Sequence, residues 1–543
     1  MSKQRSWVAV AAVVLALAAW MLADCGQGIA GQAQAPAAPH LAPVYGGTLR
    51  IVMPFATQVD TNSVLQINLN EAGLYFHDSL FDWGPDGKVK PMLVRQKQVS
   101  PDGLTVTWKL QPGVTFHDGT PFNAAAVKWN LERKIQKKQS PYDLLPFKSV
   151  EVVDELTARV KLDRPYPALD AVLANRSFAM YSPSFAQKVG DDGLKTQQSG
   201  AGPFILTSFV PNEGLRLKKD PNYWQKGLPY LDEVHIRIVN DINTRATMLA
   251  AGDADVALRL SSPDINRFRQ AQGIRVLEGQ GSQQYYIVMN SRRPGLSDKR
   301  VRQAFNYAVD KEGIVQNVYL GAARVAQAMY ATPSLDGFAP AGAYPYDPDK
   351  AKKLLDEAGW KVGAGGFREK DGKRLSVDIW TTKGSTPGDY EISELVQGML
   401  KAVGVDCKLT LLEPATFNPR VSLPPEKSEY DMVSMGFNAP TGNVDYVFNM
   451  LYSSKAFPPR YYNRAYMSNP DVDQLIEQAN NARSREEQQK LNAQIIKRVH
   501  EEAPLIQLVD LAQAAAIRDN VRGIYLNGPA NNFPAQFAWK EKP

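Results

Sequence analysis

Apolar and polar residues alternate strictly from Thr105 to Leu110, with Val106, Trp108 and Leu110 on one side and Thr105, Thr107 and Lys109 on the other. That period of two predicts a strand with one buried face. Pro101-Asp102-Gly103 before it and Asp118-Gly119-Thr120-Pro121 after it carry turn chemistry. The second turn leads into a predicted helix through Ala124 to Arg133. Val150 to Leu162 reads as a strand pair broken around Asp154-Glu155, and Gly46-Gly47 as a turn entering a strand through Val52. In the later half the period lengthens. Val301, Ala304, Phe305 and Ala308 fall on one helical face. Asp347-Pro348 forms a cap and first-turn proline, followed by an apolar stripe of Ala351, Leu354, Leu355 and Ala358 that Gly359 ends. Ser484-Arg485-Glu486-Glu487 is a capping box, with Leu491, Ile495, Ile496 and Val499 facing a core until Pro504. Strands and helices mix throughout without a fixed-period repeat, which predicts an α/β chain with helices covering sheets.

Ahead of this pattern, Lys3 and Arg5 precede an uncharged apolar stretch from Val8 to Leu22. This reads as a signal peptide over residues 1–25, short of the ~20 apolar residues of a membrane span. Everything after it is then exported, and the expected compartment is the periplasm. Cys25 is a candidate lipidation site, although Asp24 stands before it where a small residue is expected, and Gly31-Gln32-Ala33 offers another cleavage point. Residues 26–44, rich in Ala, Gln, Gly and Pro, read as a flexible tether. The only other cysteine is Cys407, so the fold is expected to hold without an intramolecular disulfide. The 543 residues exceed what one core supports, about 250–300 residues. Two or more lobes follow, with a crevice between them as a favoured ligand site.

The formal charge of +6 is spread among dispersed Lys and Arg with no basic stripe, so nucleic acid is not an expected partner. Enzyme motifs are missing: no C-x-x-C, no G-x-S-x-G, no P-loop, and His500-Glu501-Glu502-Ala503-Pro504 breaks a zinc-binding pattern at its proline. The five histidines lack ligand spacing, and His117, in a Phe-His-Asp-Gly-Thr turn, reads as a surface turn residue. No metal or cofactor is expected. Carboxylate pairs arise by chance among 56 acidic residues, which leaves a secreted hydrolase on a two-lobed scaffold as the alternative to a binding protein.

One ordered series of motifs goes further. Val99-Ser100-Pro101-Asp102-Gly103, Trp108-Lys109-Leu110, Gly113-Val114 and Phe116-His117-Asp118-Gly119-Thr120-Pro121-Phe122 are followed by Gly200-Ala201-Gly202-Pro203-Phe204 and Asp220-Pro221-Asn222-Tyr223-Trp224. Then come Leu249-Ala250-Ala251-Gly252-Asp253-Ala254-Asp255, Val301-Arg302-Gln303-Ala304, Asp347-Pro348 to Trp360, and Asn469-Pro470-Asp471-Val472-Asp473. Over about residues 45–525 the chain thus resembles extracellular solute-binding protein family 5, the substrate-binding proteins of bacterial peptide/nickel ABC importers. The resemblance implies a two-lobed periplasmic-binding-protein-like fold, type II in its large form with an extra subdomain, joined by two hinge crossings. The first lobe is expected over 45–284 plus 505–543, with the subdomain at about 85–198, and the second over 285–504. Implied partners are a small-molecule solute and ABC permease subunits in the inner membrane, with the protein itself a monomer. The implied ligand is peptide-like or another small organic solute, with a metal chelate or nickel as the alternative within the family.

Peptide-binding members hold the ligand's amino group with an aspartate in a Gly-Trp-x-x-Asp stretch. Here the matching segment is Met435-Gly436-Phe437-Asn438-Ala439-Pro440, so Phe437 replaces the tryptophan and Pro440 stands in the aspartate's place. Asp445 is expected to be structural. Expected ligand contacts are Phe437, Asn438, Pro440 and Tyr446, together with Tyr285 and Tyr286 beside the outward crossing. Strand alternation lets only one of those two tyrosines face the cleft. Lys383 lies in a loop where relatives place a base for a ligand carboxylate, and Arg460 with Tyr461 forms a basic-aromatic cluster suited to an anionic or aromatic ligand.

Overall fold

The computed structural model describes residues 42–54, 59, 73, 75–137, 145–279, 281–439, 441–526 and 533–541. The leader, Cys25, most of the tether and Pro440 lie outside them. The path begins with β1 (Thr48–Met53) and leaves it for a four-stranded sheet of β2 (Val94–Val99), β3 (Thr105–Leu110), β4 (Phe147–Asp154) and β5 (Thr157–Leu162), ordered β2-β3-β5-β4. It returns through β6 (Phe204–Val210), β7 (Gly214–Lys219), β8 (Glu233–Ile238), β9 (Val256–Leu258) and β10 (Ile274–Gly279). A second sheet follows from β11 (Gln283–Met289), β12 (Ala323–Val325), β13 (Ser376–Thr381), β14 (Asp406–Leu411), β15 (Met432–Asn438) and β16 (Leu505–Leu511), ordered β12-β16-β11-β15-β13-β14. Finally β17 (Gln513–Arg518) re-enters the first sheet, whose order is β10-β17-β9-β1-β8-β7-β6.

Each element forms where its local chemistry asks for it. Val106, Trp108 and Leu110 of β3 are all buried, as their alternation requires, and α1 (Ala124–Lys137) packs across this sheet to close a core of its own. Helices α2 (Ile242–Ala251) and α3 (Ser262–Arg269) cover one face of the first sheet through Ala246, Leu249 and Phe268. The second sheet is covered on both faces. α4 (Lys299–Ala308), α5 (Pro348–Glu357) and α6 (Asp389–Ala402) bury Phe305, Leu355 and Val396 against one side, and α7 (Pro470–Asn480) and α8 (Arg485–Glu502) bury Ile476 and Val499 against the other. The caps read from sequence are in place: Asp347 accepts from Lys350 N at 2.9 Å and Ser484 from Glu487 N at 3.1 Å.

Two expectations change. His117 is no surface turn residue, since its side chain is only 3% exposed and Nε2 lies 2.9 Å from Gly202 O. The family signature there is a seam between subdomain and first lobe, so tight that a Cβ on Gly200 would fall 2.0 Å from Phe76 O. The return crossing also comes later than 505. Leu505–Leu511 is an inner strand of the second sheet, buried from Leu505 to Asp510, and a strand buried on both faces reads as a continuous apolar run that hides where it ends. The first sheet is left after Gly279 and the second entered at Gln283, and the return passes through Ala512.

Candidate ligand-binding site

Strand direction locates the cleft. β1 runs parallel to β8 and β9, while β17 is antiparallel to β9 and β10, so the carboxyl ends of β1, β8, β9 and β10 share one edge with the start of β17. In the second sheet β13 is parallel to β14 and β15, and β11 is antiparallel to β15 and β16. The carboxyl ends of β13, β14, β15 and β16 therefore share an edge with the start of β11. Both crossings join these two edges. Each sheet presents its carboxyl edge to the other, the place where open α/β sheets bind ligands. The crossings lie side by side: a Cβ on Gly281 would sit 2.0 Å from Leu511 O.

Further contacts cross the seam. Arg164, just beyond β5 of the subdomain, donates to Asn480 O at the end of α7 at 2.7 Å, and Asn443 Nδ2 donates to Tyr166 Oη at 3.4 Å. On the other flank Asn266 of α3 donates to Leu320 O at 3.0 Å. Asn443, in the stretch after Phe437 and Asn438, thus lies where the subdomain meets the second lobe. Asp445 is buried there and accepts from Gln488 Nε2 at 3.1 Å. Burial pushes its carboxyl up to about 6, against the opposing pull of Arg485 and Arg164. It is committed within the fold.

On one face of the second sheet, register pairs align four side chains in a row. Arg324 of β12 stands opposite Asp510 of β16, Asp510 opposite Gln284 of β11, and Gln284 opposite Phe437 of β15. Gln284 ties the row together: Nε2 donates to Asp510 Oδ1 at 2.8 Å and to Ala328 O at 2.8 Å, while Oε1 accepts from Tyr330 N at 2.7 Å. Tyr330 is held at φ +60°, a left-handed conformation uncommon outside glycine. Its ring centroid lies 6.3 Å from that of Phe437, which stacks on Tyr446 at 6.0 Å. Burial raises the Asp510 carboxyl to about 7, with the Gln284 hydrogen bond and Arg324 acting the other way.

The opposite face carries Asn438, bonded to Ser282 Oγ at the outward crossing, and the loop between β13 and α6. There the carboxylate of Asp389 accepts from Gly384 N, Ser385 N and Tyr390 N at 2.9–3.0 Å and from Thr382 Oγ1 at 2.9 Å. The loop donors at this helix start are thus taken by the chain's own carboxylate. Lys383 stays exposed beside them, its Nζ 5.2 Å from the Tyr390 ring centroid.

Phe437, Asn438, Tyr446 and Lys383 therefore gather at or near the carboxyl edge, and Pro440 lies outside the described residues. Tyr285 and Tyr286 do not reach the cleft. Both are 1% exposed, because β11 is covered on both faces and alternation sends one into each core. Tyr285 Oη lies 2.9 Å from Ser434 Oγ, and Tyr286 packs on Tyr330. The Arg460 loop is anchored at the other end of β11. Arg460 sits over Tyr461 at 5.0 Å, Tyr461 N donates to Phe457 O, and the following Ala465 O accepts from Ser291 N and Oγ. The residues that sequence reasoning missed are Arg324, Gln284 and Asp510. The one visible signal was an acidic residue closing the run Leu505–Val509, which is apolar apart from Gln507. A separate hollow of about 330 Å³, lined by Arg50, Arg216, His235 and Arg237, opens along the strands of the first sheet rather than at its carboxyl edge. Among the described residues no three His, Cys, Asp or Glu side chains converge to hold a metal ion, and no helix is long and apolar enough to cross a membrane.

Two α/β lobes that meet edge to edge across paired crossings define a binding protein that closes over a small solute. The chain belongs to the bacterial extracellular solute-binding proteins of family 5, whose model matches residues 88–458, and is thus a substrate-binding component of the ABC importer type. It is 31% identical over 462 residues to the glutathione-binding protein GsiB of Salmonella typhimurium, covering 83% of this chain and 86% of that one. Among solved structures it resembles NikA from Brucella suis in complex with Fe(III)-EDTA, with a TM-score of 0.80, 26% identity and coverage of 91% of this chain and 100% of that one. It also resembles HbpA2 from Haemophilus parasuis, with a TM-score of 0.78, 25% identity and coverage of 91% and 100%.

Proposed function

We propose that this chain works in the periplasm as a monomer, closes over a small peptide-like solute and hands it chemically unchanged to the permease subunits of an ABC importer. The observation that carries this reading is the pair of carboxyl edges facing each other, with charged, amide and aromatic side chains along them. The GsiB relatives, named for binding glutathione, support a peptide-like ligand and make glutathione the first probe. Phe437, Asn438, Tyr446 and Lys383 are the contacts carried forward from the sequence, with the first lobe redrawn as 45–279 plus 513–541 and the second as 283–511. Pro440 offers no charge to an amino group, so the ligand's polar ends are met by other residues.

Closure is driven only by tighter binding to the closed than to the open form. Isothermal titration with glutathione and dipeptides, followed by mass spectrometry of the recovered ligand, tests the reading. Saturable binding with the mass unchanged is expected. A product of altered mass would replace this reading with hydrolysis. Binding confined to a nickel–histidine or iron–EDTA chelate, run in parallel, would replace it with a chelate receptor.

A further inference from the structure

We infer that the Arg324–Asp510–Gln284–Phe437 row recognises a free amino-acid end of the ligand, with Asp510 taking the ammonium and Arg324 the carboxylate on the same carbon. This rests on the peptide-like reading above and narrows it to ligands with a zwitterionic end, of which a γ-glutamyl group is the simplest peptide example.

Asp510 is 7% exposed, and the one hydrogen bond to its side chain among the described residues comes from the neutral amide of Gln284 to Oδ1. A carboxylate taken from water with one neutral donor is poorly compensated and asks for a cation. Burial has already raised its carboxyl to about 7, so a ligand ammonium would restore the ionised form. The side chain is oriented in advance, because Gln284 is held in turn by Ala328 O and Tyr330 N. Arg324, directly across the strand pair from Asp510, is exposed and makes no ion pair among the described residues. Directly opposed residues of an antiparallel pair stand about 4.5–5.5 Å apart at Cα, a spacing that lets two opposite charges reach the two substituents of one carbon. Phe437 then offers an apolar surface to the chain leading away from that carbon. The row also lies at the seam: β12 begins three residues after Leu320, whose carbonyl receives the α3 hydrogen bond, and Asp510 is two residues from the return crossing at Ala512.

The experiment measures Kd for glutathione, N-acetyl-glutathione, the glutathione amide blocked at its γ-glutamyl α-carboxyl, and the α-linked peptide Glu-Cys-Gly. The proteins are the wild type, Asp510→Asn and Arg324→Gln, with melting curves as folding controls. Loss of a charge-assisted contact corresponds to roughly 10- to 150-fold in Kd. Wild type should lose affinity in that range on N-acetylation, and Asp510→Asn should lose it for glutathione yet be indifferent to acetylation. Arg324→Gln should lose affinity for glutathione but not for the blocked amide, and the α-linked peptide should bind more weakly than glutathione. If Asp510→Asn binds glutathione as the wild type does, or still discriminates against the acetylated form, the inference falls and the peptide reading stands. If the wild type binds none of these probes, the peptide reading falls and takes the inference with it.

Discussion

Arg164 is the place to test whether the extra subdomain takes part in closure. Its Nη1 donates to Asn480 O at 2.7 Å, and the guanidinium lies 5.3 Å over the ring of Tyr166, which itself accepts from Asn443. Arg164→Ala removes a charged hydrogen bond that joins the subdomain to the second lobe, so its loss falls on the closed state. Such a bond contributes about 1.5–3 kcal/mol. If opening breaks it, ligand binding must supply that amount in the variant, and apparent affinity drops roughly 10- to 150-fold at 1.4 kcal/mol per decade. Buried Asp445 also loses one of the two cations that hold its carboxyl down, which adds to the effect. The assay is titration with glutathione at fixed pH, paired with solution scattering of free and liganded protein. Arg164→Ala should show the same ligand-free radius of gyration, weaker binding, and compaction only at higher ligand concentration. Equal affinity and equal compaction in variant and wild type would refute the claim that this contact belongs to the closed state.

Gly281→Ala should force the crossings apart, because the new Cβ would meet Leu511 O at 2.0 Å. A loss of about 1–3 kcal/mol in urea denaturation is expected, and an unchanged midpoint would show that the crossings yield freely. Asp510→Asn should make the ligand-free protein more stable at neutral and alkaline pH. The folded carboxyl titrates near 7 against 3.8 as its ordinary value, so its protonated form is favoured by folding. That stability is complete below 3.8 and is lost as pH rises through 7. The variant's advantage should therefore grow between pH 4 and 7, to at most about 4 kcal/mol; melting curves that shift equally at both ends of that range would contradict it. Cys407 is 2% exposed and burial pushes its thiol up to about 12. Peptide mapping after alkylation at pH 8 should find it unmodified in native protein and modified in denaturant.

Sequence reading succeeded where the cause is local. The Asp347-Pro348 start, the Ser484 cap and the alternation across β3 depend on neighbours within a few residues, and each stands as read. It failed where the deciding neighbour is remote. One of Tyr285 and Tyr286 is expected at the cleft because nothing nearby announces that β11 is walled by α4 and α6 on one side and α7 and α8 on the other. The loop that carries Arg460 and Tyr461 is tied by Ser291 at Ala465, beyond the end of β11, a contact between positions 174 apart. Gln284 and Asp510 meet across 226 positions, so their pairing leaves no periodic trace in either segment. The segment around Phe437 was legible because the family resemblance marked it, and the row it belongs to was not.

The strand that closes the first sheet is β17, and it lies between β9 and β10 rather than at a margin. As the ribosome delivers the chain, β10 stays separated from the five contiguous strands of the first sheet until residues 513–518 emerge. The second lobe has all its strands by Leu511. Folding order is thus inverted relative to chain order: the amino-terminal half cannot finish before the carboxyl-terminal half has been made. The leading portion of the polypeptide therefore stays without a completed sheet for nearly the whole of synthesis.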